Sequence, residues 1–293
     1  MPERTDHPMT ETTPGATARD VGWTSEYLES AREVWSLPIT DEDRRLLWTD
    51  ALAERWGGGE AEKVYAAVRA FIGRSLDAVG FVNVRGLLSP AASDADLSTA
   101  LSFLLAEVAG PVPQNAQGDL WTVLRDRDGD GATELGFHCD TCDLLVLLCL
   151  QPAADGGGTT KLASARHVHD IIERERPDVL ALLKEEWRYD RTGRAGQQIL
   201  LTPILFTQDD GTVGCYYQTR TVRASADLDA RHIDALDYLD AVLYRPEIAF
   251  GLPLAAGDLL MIRNSRVLHG RSPYVDTPGP EARRILRAWM DER

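Results

Sequence analysis

Residues 257–274 read Gly-Asp-Leu-Leu-Met-Ile-Arg-Asn-Ser-Arg-Val-Leu-His-Gly-Arg-Ser-Pro-Tyr. Two short apolar runs, Leu259–Arg263 and Arg266–His269, sit here between glycines and polar turn formers, which is how brief strands announce themselves. The same rhythm spreads through the second half of the chain, over Trp121–Arg125, Leu144–Leu150, Gln198–Phe206, Val213–Tyr217 and Arg283–Met290. Helical inserts are expected at Ala165–Arg174 and Asp227–Tyr244. Many short strands broken by Gly, Pro and Asp point to a sandwich or jelly roll. Neither a regular βα alternation nor a Gly-x-Gly-x-x-Gly is present. The expected class is α+β with a mainly β core, a double-stranded β-helix (jelly roll) with flanking helices.

Upstream, apolar residues recur at helical spacing from Thr24 to about Ala78, as in Leu46, Leu47, Leu52 and Trp56, then Val64, Val68 and Phe71. Asp41 is the expected N-cap of one helix, and Gly57-Gly58-Gly59 separates it from the next. Gly80–Gly86 alternates as a strand does, and a further helix is expected over Ser93–Ala109. Residues 1–22 carry almost no large apolar side chains and read as a disordered tail. The expected domain plan is thus a tail at 1–22 and one domain at 23–293, with a mainly helical lead-in at 23–112 and a jelly-roll core with helical inserts at 113–293.

A formal charge of −15 argues against a nucleic-acid binder, which needs clustered Lys and Arg to displace counterions from phosphates. The longest apolar run, Leu144–Leu150, is far below the ~20 residues that cross a bilayer. Four cysteines in 293 residues do not form the dense framework of a small secreted protein, so a cytoplasmic location is expected.

The chemistry concentrates at His138-Cys139-Asp140. In an extended segment, residues two apart share a face, so His138 and Asp140 project together and Cys139 projects away. His269, at the end of a distant strand, is the candidate third ligand. Two imidazoles and one carboxylate form the facial triad associated with non-haem iron(II), which leaves positions open for cosubstrate and O2. The same donors also suit zinc, nickel or cobalt. In the terminal strand, Arg283 and Arg287 share a face with Ile285 between them. Guanidinium groups directed into a core are costly without an anion, and a carboxylate is their natural bidentate partner.

Taken together, GFVNVRG at 80–86, FHCD at 137–140, GGGTTKLAS at 156–164, GDLLMIRNSRVLHGRSPY at 257–274 and RRILR at 283–287 resemble the taurine-dioxygenase and clavaminate-synthase-like branch of the iron(II)/2-oxoglutarate-dependent oxygenases. The resemblance runs from about Gly80 to the C-terminus. It implies that His138, Asp140 and His269 bind iron(II), that Arg283 pairs with the far carboxylate of 2-oxoglutarate, and that Thr160 supports the same carboxylate, with Thr159 as the neighbouring alternative. Arg287 matches a second basic position near cosubstrate or substrate. In related halogenases a small residue replaces the acidic ligand, so Asp140 points instead to hydroxylation or a related two-electron oxidation of a small substrate, with O2 consumed, and the many arginines late in the chain hint at an anionic group on that substrate. The competing expectations are a non-catalytic metal or 2-oxoglutarate sensor of the same fold, and a zinc hydrolase on the same ligands.

Other signals carry less. Asp126–Gly131 begins like a calcium loop, but its twelfth position is Phe137 where such a loop needs Glu. Cys139 and Cys142 form a C-x-x-C without the second pair of a structural zinc site. His167 and His169 fall two apart on an expected helix and do not share a face. Arg220 and Arg223, and Asn115 and Gln117 upstream, are candidates for substrate contact. The loops after Asp140 and around 190–225 are expected to wall and cover the site.

Overall fold

The computed structural model describes residues 22–52, 59–88, 104–105, 108–115, 117–124, 133–189, 199–275, 279 and 282–292. All of the expected tail but Gly22, most of the Ser93–Ala109 helix, the Asp126–Gly131 turn and residues 190–198 lie outside them.

Two sheets face each other without closing into a barrel. The larger has seven strands: β1 (Ser36–Pro38), β2 (Phe81–Arg85), β3 (Ala109–Val112), β4 (Trp121–Leu124), β6 (Leu144–Gln151), β13 (Leu259–Arg263) and β15 (Arg284–Glu292). Its order is β1-β2-β13-β6-β15-β3, with β4 pairing β15 as well. The smaller sheet is β12-β7-β14-β5, from β5 (Leu135–His138), β7 (Thr160–Ser164), β12 (Phe250–Leu252) and β14 (Val267–Arg271). Two hairpins, β8 (Trp187–Tyr189) with β9 (Leu200–Thr202) and β10 (Leu205–Thr207) with β11 (Val213–Cys215), stand outside both sheets.

Period-two alternation sorts the side chains into three cores. Leu144, Val146, Leu148, Leu259, Met261, Leu286 and Ala288 point outward from the large sheet against the Glu60–Val79 helix. Their alternates, Leu145, Leu147, Leu260, Ile262 and Ile285, meet Leu162 and Val267 between the sheets. On the far side of the small sheet, Phe137, Cys139, Ala163 and Leu268 pack on the Ala165–Glu175 and Ala230–Leu243 helices. Layers on both faces explain why β6 reads as an unbroken apolar run, Leu-Leu-Val-Leu-Leu-Cys-Leu.

Helix starts follow capping chemistry. Ser164 accepts from His167 N, and Asp229 accepts from the backbone N–H groups of Arg231 and His232. At the Asp41–Leu52 helix the cap sits one residue earlier than expected: Thr40 Oγ1 accepts from Asp43 N at 3.1 Å, and Asp41 opens the first turn. The lead-in also contains a strand inside the expected helical stretch. Ser36–Pro38 pairs in parallel with β2, and the proline confines it to the sheet edge. Among the described residues, no helix is long and apolar enough to cross a membrane.

Candidate metal centre

The facing sheets leave a cavity of about 190 Å³ lined by Leu124, Leu135, His138, Asp140, Leu145, Leu147, Thr160, His269, Gly270, Arg271, Tyr274, Arg283, Ile285 and Arg287. Strand parity puts them there. Thr160 shares its face of β7 with Leu162, His269 shares its face of β14 with Val267, and Arg287 shares its face of β15 with Ile285.

His138 ends β5 and stands directly opposite His269 in the antiparallel register, with ring centroids 4.3 Å apart. Glycine at 270 permits that closeness, because a Cβ there would lie 2.8 Å from the Leu135 carbonyl oxygen. The ladder shifts register between His269 and Arg271 at the same place. His138 Nδ1 lies 2.9 Å from the Gly136 carbonyl oxygen, so as a donor it leaves the lone pair on Nε2. That Nε2 is 3.9 Å from Asp140 Oδ1. One donor atom from each of His138, Asp140 and His269 falls within 4.8 Å of the others.

Asp140 and His269 are both buried. Burial, reinforced by His138, pushes the His269 ring down to about 3, so it is a neutral imidazole across the working pH range. Burial works against ionisation of Asp140 too. His269, Arg287 and His138, with a hydrogen bond from Trp289, outweigh it and hold the carboxyl below its usual range. His269 Nδ1 is buried with no hydrogen-bond partner. A neutral His269 imidazole and the His138 Nε2 atom beside an ionised carboxylate, with a buried polar atom unsatisfied by protein, fit a divalent metal.

The loop carrying Asp140 is fixed from several directions. Cys139 N donates to Tyr217 O at 2.8 Å, and the Gln218 side chain donates to the Cys139 carbonyl. Asn264, in the turn between β13 and β14, accepts from Asp140 N at 3.1 Å and donates to the Cys142 carbonyl at 3.1 Å. Asp140 Oδ2 receives Trp289 Nε1 at 2.8 Å and Arg287 Nη1 at 3.3 Å. Arg287 Nε in turn reaches Gln114 Oε1 at 2.8 Å.

Arg283 is 8% exposed and Thr160 4% exposed, and both face the cavity. Thr159, the neighbouring alternative, lies outside it, with its backbone N–H on Ser272 Oγ. The glycine run has a steric purpose. Gly158 has φ +71°, and a Cβ there would meet Arg283 Nε at 2.9 Å. The Arg283 guanidinium lies over the Tyr274 ring, 5.0 Å from its centroid.

Other sequence candidates are not brought to this cavity. Arg223 is spent on Asp237 and Asp240 at 2.9 and 2.8 Å, and Arg220 is exposed on the Thr219–Arg223 helix. Asn115 holds Asp119 at 2.9 Å, and Gln117 is exposed beside it. The described part of 199–225 packs behind Phe137 and Cys139, on the opposite face of the small sheet. Cys139 is buried in that core and the described cysteines are all free. A second group of potential ligands, His169, Asp170 and Glu173, has its middle member paired with Arg166 Nε at 2.9 Å.

Sequence reading missed Trp289, Asn264, Gln114 and Gln218. For Trp289 a signal existed: continuing the alternation 283, 285, 287 lands on 289. The other three meet the site through turns and loops that no period marks.

Known proteins resemble this chain in sequence and in fold. The family model described as taurine catabolism dioxygenase TauD, TfdA family, matches residues 51–289. FR-33289 synthase of Streptomyces rubellomurinus is 25% identical over 296 residues, spanning 93% of this chain and 84% of that protein. Taurine hydroxylase-like protein SAT17 of Stachybotrys chartarum is 32% identical over 161 residues, 52% of this chain and 40% of that protein. Among solved structures, asparagine oxygenase with Fe(II), 2S,3S-3-hydroxyasparagine and succinate superposes with a TM-score of 0.69 at 19% identity, over 88% of this chain and 94% of that one. The non-heme iron oxygenase OrfP with Fe and alpha-ketoglutaric acid gives a TM-score of 0.64 at 17% identity, over 87% and 92%.

Proposed function

The chain belongs to the TauD/TfdA dioxygenase family, and from that premise we propose that His138, Asp140 and His269 hold its iron(II) while Arg283 and Thr160 receive the far carboxylate of 2-oxoglutarate. The protein is a non-haem iron(II)- and 2-oxoglutarate-dependent oxygenase of a small organic substrate. The bound metal, with 2-oxoglutarate and O2, supplies the oxidising power, yielding succinate and CO2 as a substrate C–H bond is oxidised, in the first instance to an alcohol.

One observation carries the assignment: three donor atoms within 4.8 Å of one another share one cavity with a buried arginine and a buried threonine. The residues do the positioning. Arg283, prevented from swinging away by Tyr274 and admitted by Gly158, offers a fixed charged fork to a carboxylate. Leu124, Leu145, Leu147 and Ile285 give the cavity an apolar wall, which disfavours water beside the ligands. Reaction by hydrogen abstraction needs only proximity and orientation, so His138, Asp140 and His269 can serve wholly as ligands and no separate nucleophile or base is called for.

We further propose that the substrate is anionic, supported by the Arg271 guanidinium on the same lining as Arg283. Residues 23–293 are proposed to act as one oxygenase domain, since all three cores share the two sheets. A cytoplasmic setting is supported by the four free cysteines. The test is succinate release in iron(II), 2-oxoglutarate and O2 across a panel of small sulfonates, phosphonates, phosphates and carboxylates. Substrate-stimulated succinate that vanishes in Asp140→Ala is expected. Activity with zinc in the absence of O2, or metal binding without stimulated turnover by any compound class, would favour the hydrolase or the sensor instead.

A further inference from the structure

Asp140 has two oxygens, and the surroundings treat them differently. Oδ1 faces His138 Nε2 at 3.9 Å, toward the shared donor cluster. Oδ2 is turned the other way, onto the indole N–H of Trp289 at 2.8 Å and Arg287 Nη1 at 3.3 Å. These two donors form a unit, because the Arg287 guanidinium lies over the Trp289 ring at 4.9 Å and is anchored behind by Gln114 at 2.8 Å. Both come from one face of β15, the face that also carries Ile285, and Arg283 just ahead of the strand lines the same cavity.

We propose that Trp289 is a positioning residue for the metal carboxylate. By occupying Oδ2 beside the Arg287 guanidinium, its indole N–H, the shorter of the two contacts, holds Asp140 to binding through Oδ1. A carboxylate is free to chelate through both oxygens, which would consume one of the positions a facial triad leaves for cosubstrate and O2. A donor from the protein on the outer oxygen prevents that and fixes the rotamer, the usual way in which groups behind a ligand tune a metal site. The Asp140 backbone is pinned separately by Asn264, so the side-chain torsion is the freedom that Trp289 removes. An N–H is required for this, whereas ring packing would be met by any large aromatic. β15 thereby sets ligand geometry through Trp289, with Arg283 just ahead of its first residue.

The inference rests on the metal assignment above, and the experiment separates the two. Wild type, Trp289→Phe, and a chain carrying β-(3-benzothienyl)alanine at 289 are titrated anaerobically with cobalt(II) as an iron(II) probe, followed by isothermal titration and visible absorption. The benzothienyl analogue keeps the bicyclic ring and loses only the N–H. Both altered proteins are expected to melt within a few degrees of wild type when metal-free, to bind cobalt about 10- to 100-fold more weakly, and to show a shifted d–d band. Wild-type affinity and band in the benzothienyl protein would overturn the role of the N–H while leaving the metal site standing. A wild type that binds no metal would overturn both.

Discussion

The small sheet has two unlike faces. Toward the cavity it presents Thr160, His138, His269 and Arg271, and toward the helices it presents Phe137, Ala163 and Leu268. One backbone therefore bears chemistry on one side and support on the other, alternating residue by residue. The division means that neighbours in sequence should fail in different ways when changed: cavity-face substitutions should remove function and leave folding, and helix-face substitutions should do the reverse.

The largest effect tests that division directly. His269→Ala removes a proposed ligand and a buried imidazole that burial disfavours from charging, so activity should be abolished while the metal-free protein still unfolds cooperatively. Its neighbour Leu268→Ala, fully buried on the opposite face, should cost about 2–5 kcal/mol in denaturant titration and leave the turnover of the folded fraction near wild type. If Leu268→Ala lost activity without losing stability, the two faces would not be independent.

Arg283→Ala sharpens the comparison within the cavity. Losing a charge-assisted contact of ~1.5–3 kcal/mol predicts about 10- to 100-fold weaker 2-oxoglutarate binding, read by titration with the metal present. Gly158→Ala should reproduce a milder form, because its Cβ would displace Arg283 and its φ of +71° is strained for alanine by about 1–2 kcal/mol. Unchanged cosubstrate affinity in Gly158→Ala would mean that the arginine can be placed from elsewhere.

The smallest effect lies on the helix side. Glu175 is lowered to about 2 by hydrogen bonds from Arg245, Tyr238 and Arg174. A depressed carboxylate stabilises the fold above its ordinary value, and that contribution fades as pH falls from about 4.5 toward about 2. Glu175→Gln should therefore flatten the acid limb of the melting-temperature profile slightly and leave activity at neutral pH untouched. The exposed position of the pair keeps the effect small.

Much of this was legible in the residues because β-strands obey a strict period. Ile285 with Arg287 is a statement about parity, which needs no partner strand to be known, whereas Asp140 lies in the loop after β5 and Arg283 just ahead of β15. What parity could not supply is contact between elements distant along the chain. Trp289 meets Asp140 and Asn264 meets the Asp140 loop only after β15, β13 and β6 have come together. The strand Ser36–Pro38 escaped for another reason: three residues are too few to display a period, and the surrounding helices dominate any window drawn around it. Arg220, Arg223, Asn115 and Gln117 looked available because unpaired polar side chains in a sequence have no visible partners. Folding supplied Arg223 with two aspartates and Asn115 with one.

The most direct measurement is anomalous X-ray scattering at the iron edge from crystals grown anaerobically with iron(II) and 2-oxoglutarate. The account predicts one peak between the His138, Asp140 and His269 donors, with cosubstrate density running from it to the Arg283 guanidinium. A peak at any other group of side chains, or a cosubstrate carboxylate lying away from Arg283, would contradict it.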